Sequence, residues 1–293
     1  MRFVTKSIVF ILFLMIDTQI VQSETKISVF VSIVPQHYVV QQISKDLVDI
    51  QVMVAPGANP HTYEPKPQQM IAISKAQLYF SIGVSFENVW LSKLVSFNPN
   101  LLVIHTDAGI TKLPMDSHDH DHHHADKNEH HEEIVDPHIW LSPPLVKIQA
   151  RHILIALQDI DPANRLIYEA NYTTFISKLE ELDHHIRQLL TDKQGLEFMV
   201  FHPSWGYFAH TYGLKQVPIE IEGKSPKPEQ MKQLIDYARK HNITAIFQQP
   251  QISSKSAEQI AREINGKVVF VDPLALDWSE NLLGVARQLG SRK

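Results

Sequence analysis

The chain of 293 residues contains no cysteine. That absence excludes disulfides, thiolate zinc ribbons, iron–sulfur clusters, a thiol nucleophile and a lipid-modified N-terminal Cys, and leaves any metal chemistry to His, Asp and Glu. Basic charge is short as well: 27 Lys and Arg face 32 Asp and Glu, a formal balance of −5. There is no cationic footprint for a phosphate backbone, so nucleic acid is not an expected partner. Beyond the N-terminus no apolar run approaches the roughly 20 residues that a membrane-spanning helix needs. With 44% apolar and 20% charged residues, ten Gly and seventeen Pro, the composition is that of a globular chain, with two compact domains as the default. Histidine is what is plentiful: there are 17, and seven fall in one short segment.

Residues 1–23 read as a secretory signal peptide. Arg2 and Lys6 make a cationic start, Ile8 to Ile16 an apolar run that Asp17 interrupts, and Val21-Gln22-Ser23 a small-x-small end. Cleavage near Ser23 and a soluble periplasmic protein are expected.

In the remainder, apolar β-rich runs alternate with helical patterns. The runs are 27–34, 49–55, 77–83 and 101–106, then 196–202, 217–222, 244–249 and 267–272. Strands spaced by helices imply parallel βαβ construction. The halves echo one another: Pro65-Lys66-Pro67-Gln68-Gln69-Met70 recurs as Pro226-Lys227-Pro228-Glu229-Gln230-Met231, and neighbouring strands match at similar offsets. Two similar α/β lobes of (β/α)4 type with mostly parallel sheets are therefore expected, at 24–160 and 195–293. Between them, Asp161-Pro162 reads as a helix start. Phe175, Leu179, Leu182, Ile186 and Leu189 then recur at helical spacing, and Gly195 is expected to stop the run. This predicts a long linking helix over 161–194, a stiff spine joining both lobes.

Residues 116–136 hold seven His (118, 120, 122, 123, 124, 130 and 131) and eight carboxylates with no apolar face. A disordered surface loop at 116–135 is expected, suited to weak, multiple binding of borderline ions such as zinc. Four further positions end a strand or adjoin a helix, where α/β folds gather ligand groups. His61 lies in a Pro- and Gly-rich loop. His138 follows the His-rich segment, restrained by Pro137, and precedes a helix expected over about 144–158. His202 and Asp272 close two strands of the second half. Two ligands from each lobe would clamp one ion. Glu64 and Glu222 are candidates to orient a ligand imidazole, and His37, His105, His152, His184, His185, His210 and His241 read as ordinary structural or surface residues.

Four stretches, NPHTYEPKP (59–67), DPHIWLSP (136–143), FHPSWGYFAHTYGL (201–214) and FVDPLA (270–275), resemble in order the signatures of the zinc/manganese substrate-binding proteins of ABC transporters, the ZnuA/TroA-like family. The resemblance implies two lobes joined by a long backbone helix, with the metal in the cleft between them. Carried over, His61, His138 and His202 are the imidazole ligands and Asp272 the carboxylate ligand. It further implies Zn(II) as the transported ligand, since zinc-type members often carry a His-rich acidic loop and manganese members tend to have Glu at the place of His202.

The donor set agrees, because three imidazoles and a carboxylate suit tetrahedral Zn(II) whereas Mn(II) favours more oxygen ligands. The expectation is a monomeric periplasmic carrier, not an enzyme, that delivers zinc to an inner-membrane permease with a cytoplasmic ATPase. The alternatives are a manganese carrier of the same class and a secreted zinc buffer or adhesin. A zinc hydrolase has less support, since His131-Glu132-Glu133-Ile134-Val135 lacks the second His of a metalloprotease helix.

Overall fold

A computed structural model of the chain describes residues 26–115, 135–221, 223–252 and 255–291. The expected signal peptide lies outside the described residues, as does the His-rich segment apart from its end at Val135–Asp136.

The first lobe is built on β1 (Ile27–Val31), β2 (Val48–Val52), β3 (Leu78–Ser81) and β4 (Leu102–His105), with α1 (Val34–Ser44), α2 (Pro67–Ile73) and α3 (Ser85–Phe97) as crossovers. Its sheet runs β2-β1-β3-β4 and every pairing is parallel. The second lobe repeats the plan with β5 (Glu197–Val200), β6 (Lys215–Pro218), β7 (Ala245–Gln248) and β8 (Lys267–Phe270), in the order β6-β5-β7-β8 and again all parallel. Parallel strands need crossovers, which cover both faces and bury the central strands; Phe30, Tyr79, Phe198 and Ile246 are fully enclosed.

The recurring Pro-Lys-Pro segment does the same work in both lobes. It starts α2 and, in the second lobe, α7 (Pro228–Lys240). Gln69 accepts from the Lys66 backbone N–H at 2.9 Å, and Gln230 from that of Lys227 at 2.8 Å, so a side chain in each first turn satisfies a donor just outside the helix. Proline at the first helical position has no N–H to leave unpaired.

The expected strands are present, but most stop earlier than their apolar runs. Val54 and Phe201, for example, lie past the ladders yet are buried, so apolar periodicity reports burial beyond the last paired residue. The sixth strand is displaced to 215–218 from the expected 217–222, which makes Ile219 and Glu220 a loop at the strand end.

The first lobe closes with α4 (Pro143–Ile160), and a 3-10 turn at Pro162–Asn164 and α5 (Arg165–Leu189) join it to the second. Asp161-Pro162 therefore opens a tight turn rather than α5 itself. The Asp161 carboxylate accepts from Tyr168 Oη at 2.6 Å and Asn164 Nδ2 at 2.8 Å. At 1.5 Å per residue the 25 residues of α5 span about 37 Å. Phe175, Leu179, Leu182 and Ile186 are buried as the spacing requires. The helix ends at Leu189, which is exposed, and Leu190 enters the core in its place; Gly195, with φ 75°, serves the later turn into β5.

The inner face of α5 packs on α1 and α4 and on α9 (Trp278–Gly290) of the second lobe. At the joint, Trp278 Nε1 donates to the Trp140 carbonyl at 2.8 Å, Trp140 Nε1 to the Pro273 carbonyl at 2.7 Å, and Tyr38 and Ser279 share a hydroxyl bond of 2.8 Å. One apolar core thus runs from β1 through α5 to α9, and a second, smaller one lies under α7 and α8 (Lys255–Glu263). A shared core and a continuous helix make a stiff hinge. Among the described residues no helix is long and apolar enough to cross a membrane.

Candidate metal centre

Three of the four expected ligands converge. His61 sits in the loop between β2 and α2, His138 opens the 3-10 turn Ile139–Leu141, and His202 follows β5. They come from both lobes, yet each offers a ligand atom within 4.8 Å of the other two. The ring centroids are 4.9, 5.3 and 5.9 Å apart. His61 Nε2 and His202 Nε2 are 3.1 Å apart. A tetrahedral ion bonded at about 2.0–2.1 Å spaces its donors by about 3.3 Å, so this pair already stands near its loaded spacing. The cleft around them is lined by Asn59, Pro60, Val84, Pro137 and Trp140 on one side and by Gln249, Gln251, Pro273 and Leu274 on the other.

Each ring is anchored through its Nδ1. His138 Nδ1 lies 2.7 Å from Asp136 Oδ1, which also accepts the His138 backbone N–H at 2.8 Å. His202 Nδ1 lies 2.6 Å from Glu220 Oε1. A carboxylate only accepts, so both imidazoles carry their proton on Nδ1 and present the Nε2 lone pair to the cleft. His61 differs, because its Nδ1 meets the Ser85 hydroxyl at 3.0 Å. Beside His202 Nε2, which has only a lone pair, His61 Nε2 carries the hydrogen and Nδ1 accepts from Ser85. A hydroxyl donates and accepts equally well, so Ser85 can turn and support the other tautomer when His61 Nε2 binds an ion. In the loop just before Ser85, buried Glu87 accepts the backbone N–H groups of Ile82 and Gly83 at 3.0 and 2.8 Å and the Ser32 hydroxyl.

The electrostatics keep the site ready for a cation. Burial, with the neighbouring His202 and His138, holds the His61 pKa down to about 3. Burial also lowers that of His138, against the opposing pull of Asp136. Ligand imidazoles must be neutral to bind. Three nitrogen donors with two anchoring carboxylates fit Zn(II) in composition and spacing.

Asp272 lies at the C-terminal end of β8 but outside the set of mutually close ligand atoms. Its Oδ1 accepts from Gln251 Nε2 at 2.7 Å and from the Leu274 backbone N–H at 2.8 Å. The orienting groups differ from those expected. Glu64 is exposed and Glu222 lies outside the described residues, while Asp136, Glu220 and Ser85 hold the rings. Asp136 stands two residues before His138, a spacing that itself points to such a bond; Glu220 required knowing that β6 lies beside β5. The ordinary reading of other histidines agrees with their contacts: His105 bonds Ser81 Oγ, His152 the Ala108 carbonyl, and His241 pairs with Glu197.

Two parallel-sheet lobes on a helical spine, with imidazoles from both meeting in the cleft, define a two-lobed metal-binding protein. Within that class, residues 29–287 match the model of the zinc-uptake complex component A, periplasmic (ZnuA) family, and the chain belongs to this family. It is 31% identical over 255 residues to the high-affinity zinc uptake system protein ZnuA of Bacillus subtilis, covering 85% of this chain and 79% of that one. It is 27% identical over 270 residues to the zinc-binding lipoprotein AdcA of Streptococcus pneumoniae, covering 90% of this chain but 53% of that protein, so the chain spans about half of that relative. A crystal structure of ZnuA superposes with a TM-score of 0.83 at 45% identity, covering 90% of this chain and 98% of that chain. The family comprises substrate-binding components of uptake systems rather than enzymes.

Proposed function

We propose that the protein captures Zn(II) outside the cytoplasm at His61, His138 and His202, with Asp272 as the fourth ligand, and delivers it to an ABC-type importer. The observation that carries this reading is the convergence of three imidazoles from two lobes, two of them fixed by carboxylates with Nε2 turned inward. The nitrogen-rich set favours zinc over manganese, and the ZnuA and AdcA relatives are named for zinc. The partner is an inner-membrane permease with its cytoplasmic ATPase, and the carrier acts as a monomer. The leader is cleaved near Ser23. The mature chain divides into lobes at 24–160 and 195–293 around the linking segment 161–194, a division supported by the two separate sheets and the helix between them.

The shared core limits lobe movement, so release proceeds by small displacements that pull His61 and His138 away from His202, not by wide opening. Deleting the gene and growing cells in chelated medium tests this reading. Arrested growth rescued by zinc and not by manganese is expected. Unchanged growth would instead mark a zinc buffer without a transport role.

A further inference from the structure

We infer that Gln251 is a positioning residue for Asp272: it reserves one carboxylate oxygen and leaves a single oxygen for the ion, which biases the carrier toward four-coordinate zinc. This rests on the reading that Asp272 completes the ligand set. Gln251 follows β7 and Asp272 follows β8, which are neighbouring parallel strands, and Gln251 with Pro273 and Leu274 beside Asp272 lines the cleft. The Asp272 main chain is pinned, since Asn281 Nδ2 donates to its carbonyl at 2.7 Å. Its Oδ1 is saturated by the Gln251 amide at 2.7 Å and the Leu274 N–H at 2.8 Å. Among the described residues Oδ2 has no hydrogen-bond donor.

Because a carboxylate only accepts, the Gln251 amide must present its NH2 group to Asp272, and this fixes its orientation. At the other end of the amide, Gln251 Oε1 has no hydrogen-bond partner among the described residues. With Oδ1 reserved, Asp272 offers Oδ2 alone, as a one-oxygen ligand. Three imidazoles and one oxygen make a tetrahedral set, whereas a carboxylate free to bind through both oxygens raises the coordination number toward that favoured by manganese.

The test compares the metal-stripped full-length mature protein with Gln251→Ala, Gln251→Glu, Asp272→Ala and Gln251→Ala/Asp272→Ala. The readouts are Zn(II) and Mn(II) competition titrations, the d–d absorption of the Co(II)-loaded forms and apo melting temperatures. Both Gln251 variants are expected to weaken zinc by roughly 10-fold, the lower end for groups that orient a ligand. They are also expected to narrow the zinc-to-manganese ratio and to shift the Co(II) spectrum from the intense tetrahedral form to a weaker one of higher coordination. In the Asp272→Ala background, Gln251→Ala is expected to add nothing. Gln251→Glu carries the test if the alanine variant does not fold. Wild-type affinity and Co(II) spectra in the Gln251 variants, with zinc weakened by Asp272→Ala, would overturn the positioning role alone. Unchanged zinc affinity in Asp272→Ala would overturn Asp272 as a ligand and the inference with it.

Discussion

Asp136 and Gly206 are fitted to one another across the two lobes: a Cβ at Gly206 would stand 2.6 Å from Asp136 Oδ2. The carboxylate that orients His138 is thus seated against the first residue of α6 (Gly206–Tyr212), and the adjacent Tyr207 hydroxyl donates to the Asp136 carbonyl at 2.9 Å. Gly206→Ala forces Asp136 to move. The expected outcome is a loss of stability of about 1–3 kcal/mol, typical of overpacking, together with weaker zinc binding. Denaturant unfolding and a chelator competition on the same variant check both.

Removing an anchor from a ligand ring acts without touching the ion. Glu220→Ala releases His202 Nδ1 and is expected to lower zinc affinity by roughly 10–100-fold. Glu220→Gln keeps an accepting oxygen without the charge and should fall between it and the wild type. Equal affinities for all three, measured by competition with a chromophoric chelator, would show that Glu220 does not orient His202.

Half-buried His61 and buried Glu87 give acid titration opposite signs. His61 has its pKa lowered to about 3 against an ordinary value of 6.5, so below 6.5 the unfolded chain takes up a proton that the folded protein refuses. Stability from this group falls as pH drops from 6.5 toward 3. Burial raises Glu87 to about 7 from 4.5, so the folded protein holds a proton that the unfolded chain releases, and stability falls as pH rises from 4.5 through 7. Melting curves of the apo protein should show Glu87→Gln gaining on the wild type as pH rises through this window. His61→Ala should gain on the wild type as pH falls below 6.5.

Much of this was legible in the chain. The repeated Pro-Lys-Pro segment and the alternating apolar runs announce two parallel lobes, because each lobe must bury similar strands under similar crossovers. Phe175, Leu179, Leu182 and Ile186 mark the spine because one face of α5 meets both lobes. The three histidines were legible as strand-end and loop residues. What was not legible depends on strand adjacency: Glu220 reaches His202 only because β6 pairs with β5, and Gln251 reaches Asp272 only because β7 pairs with β8. Local sequence carries no record of such neighbours. Glu64, close to His61 in sequence, points outward instead, and Ser85 supports that ring from a distant turn.

The central claim is a single tight zinc site between the lobes. Its most direct test is a competitive Zn(II) and Mn(II) titration of the metal-stripped mature protein, alongside His202→Ala and a variant lacking residues 116–134. One tight zinc that survives removal of the His-rich segment, resists manganese and is weakened in His202→Ala by more than the roughly 10–100-fold of an anchor loss is the predicted result. Tight binding that vanishes with the segment and persists in His202→Ala would contradict the account and place the zinc in the His-rich segment.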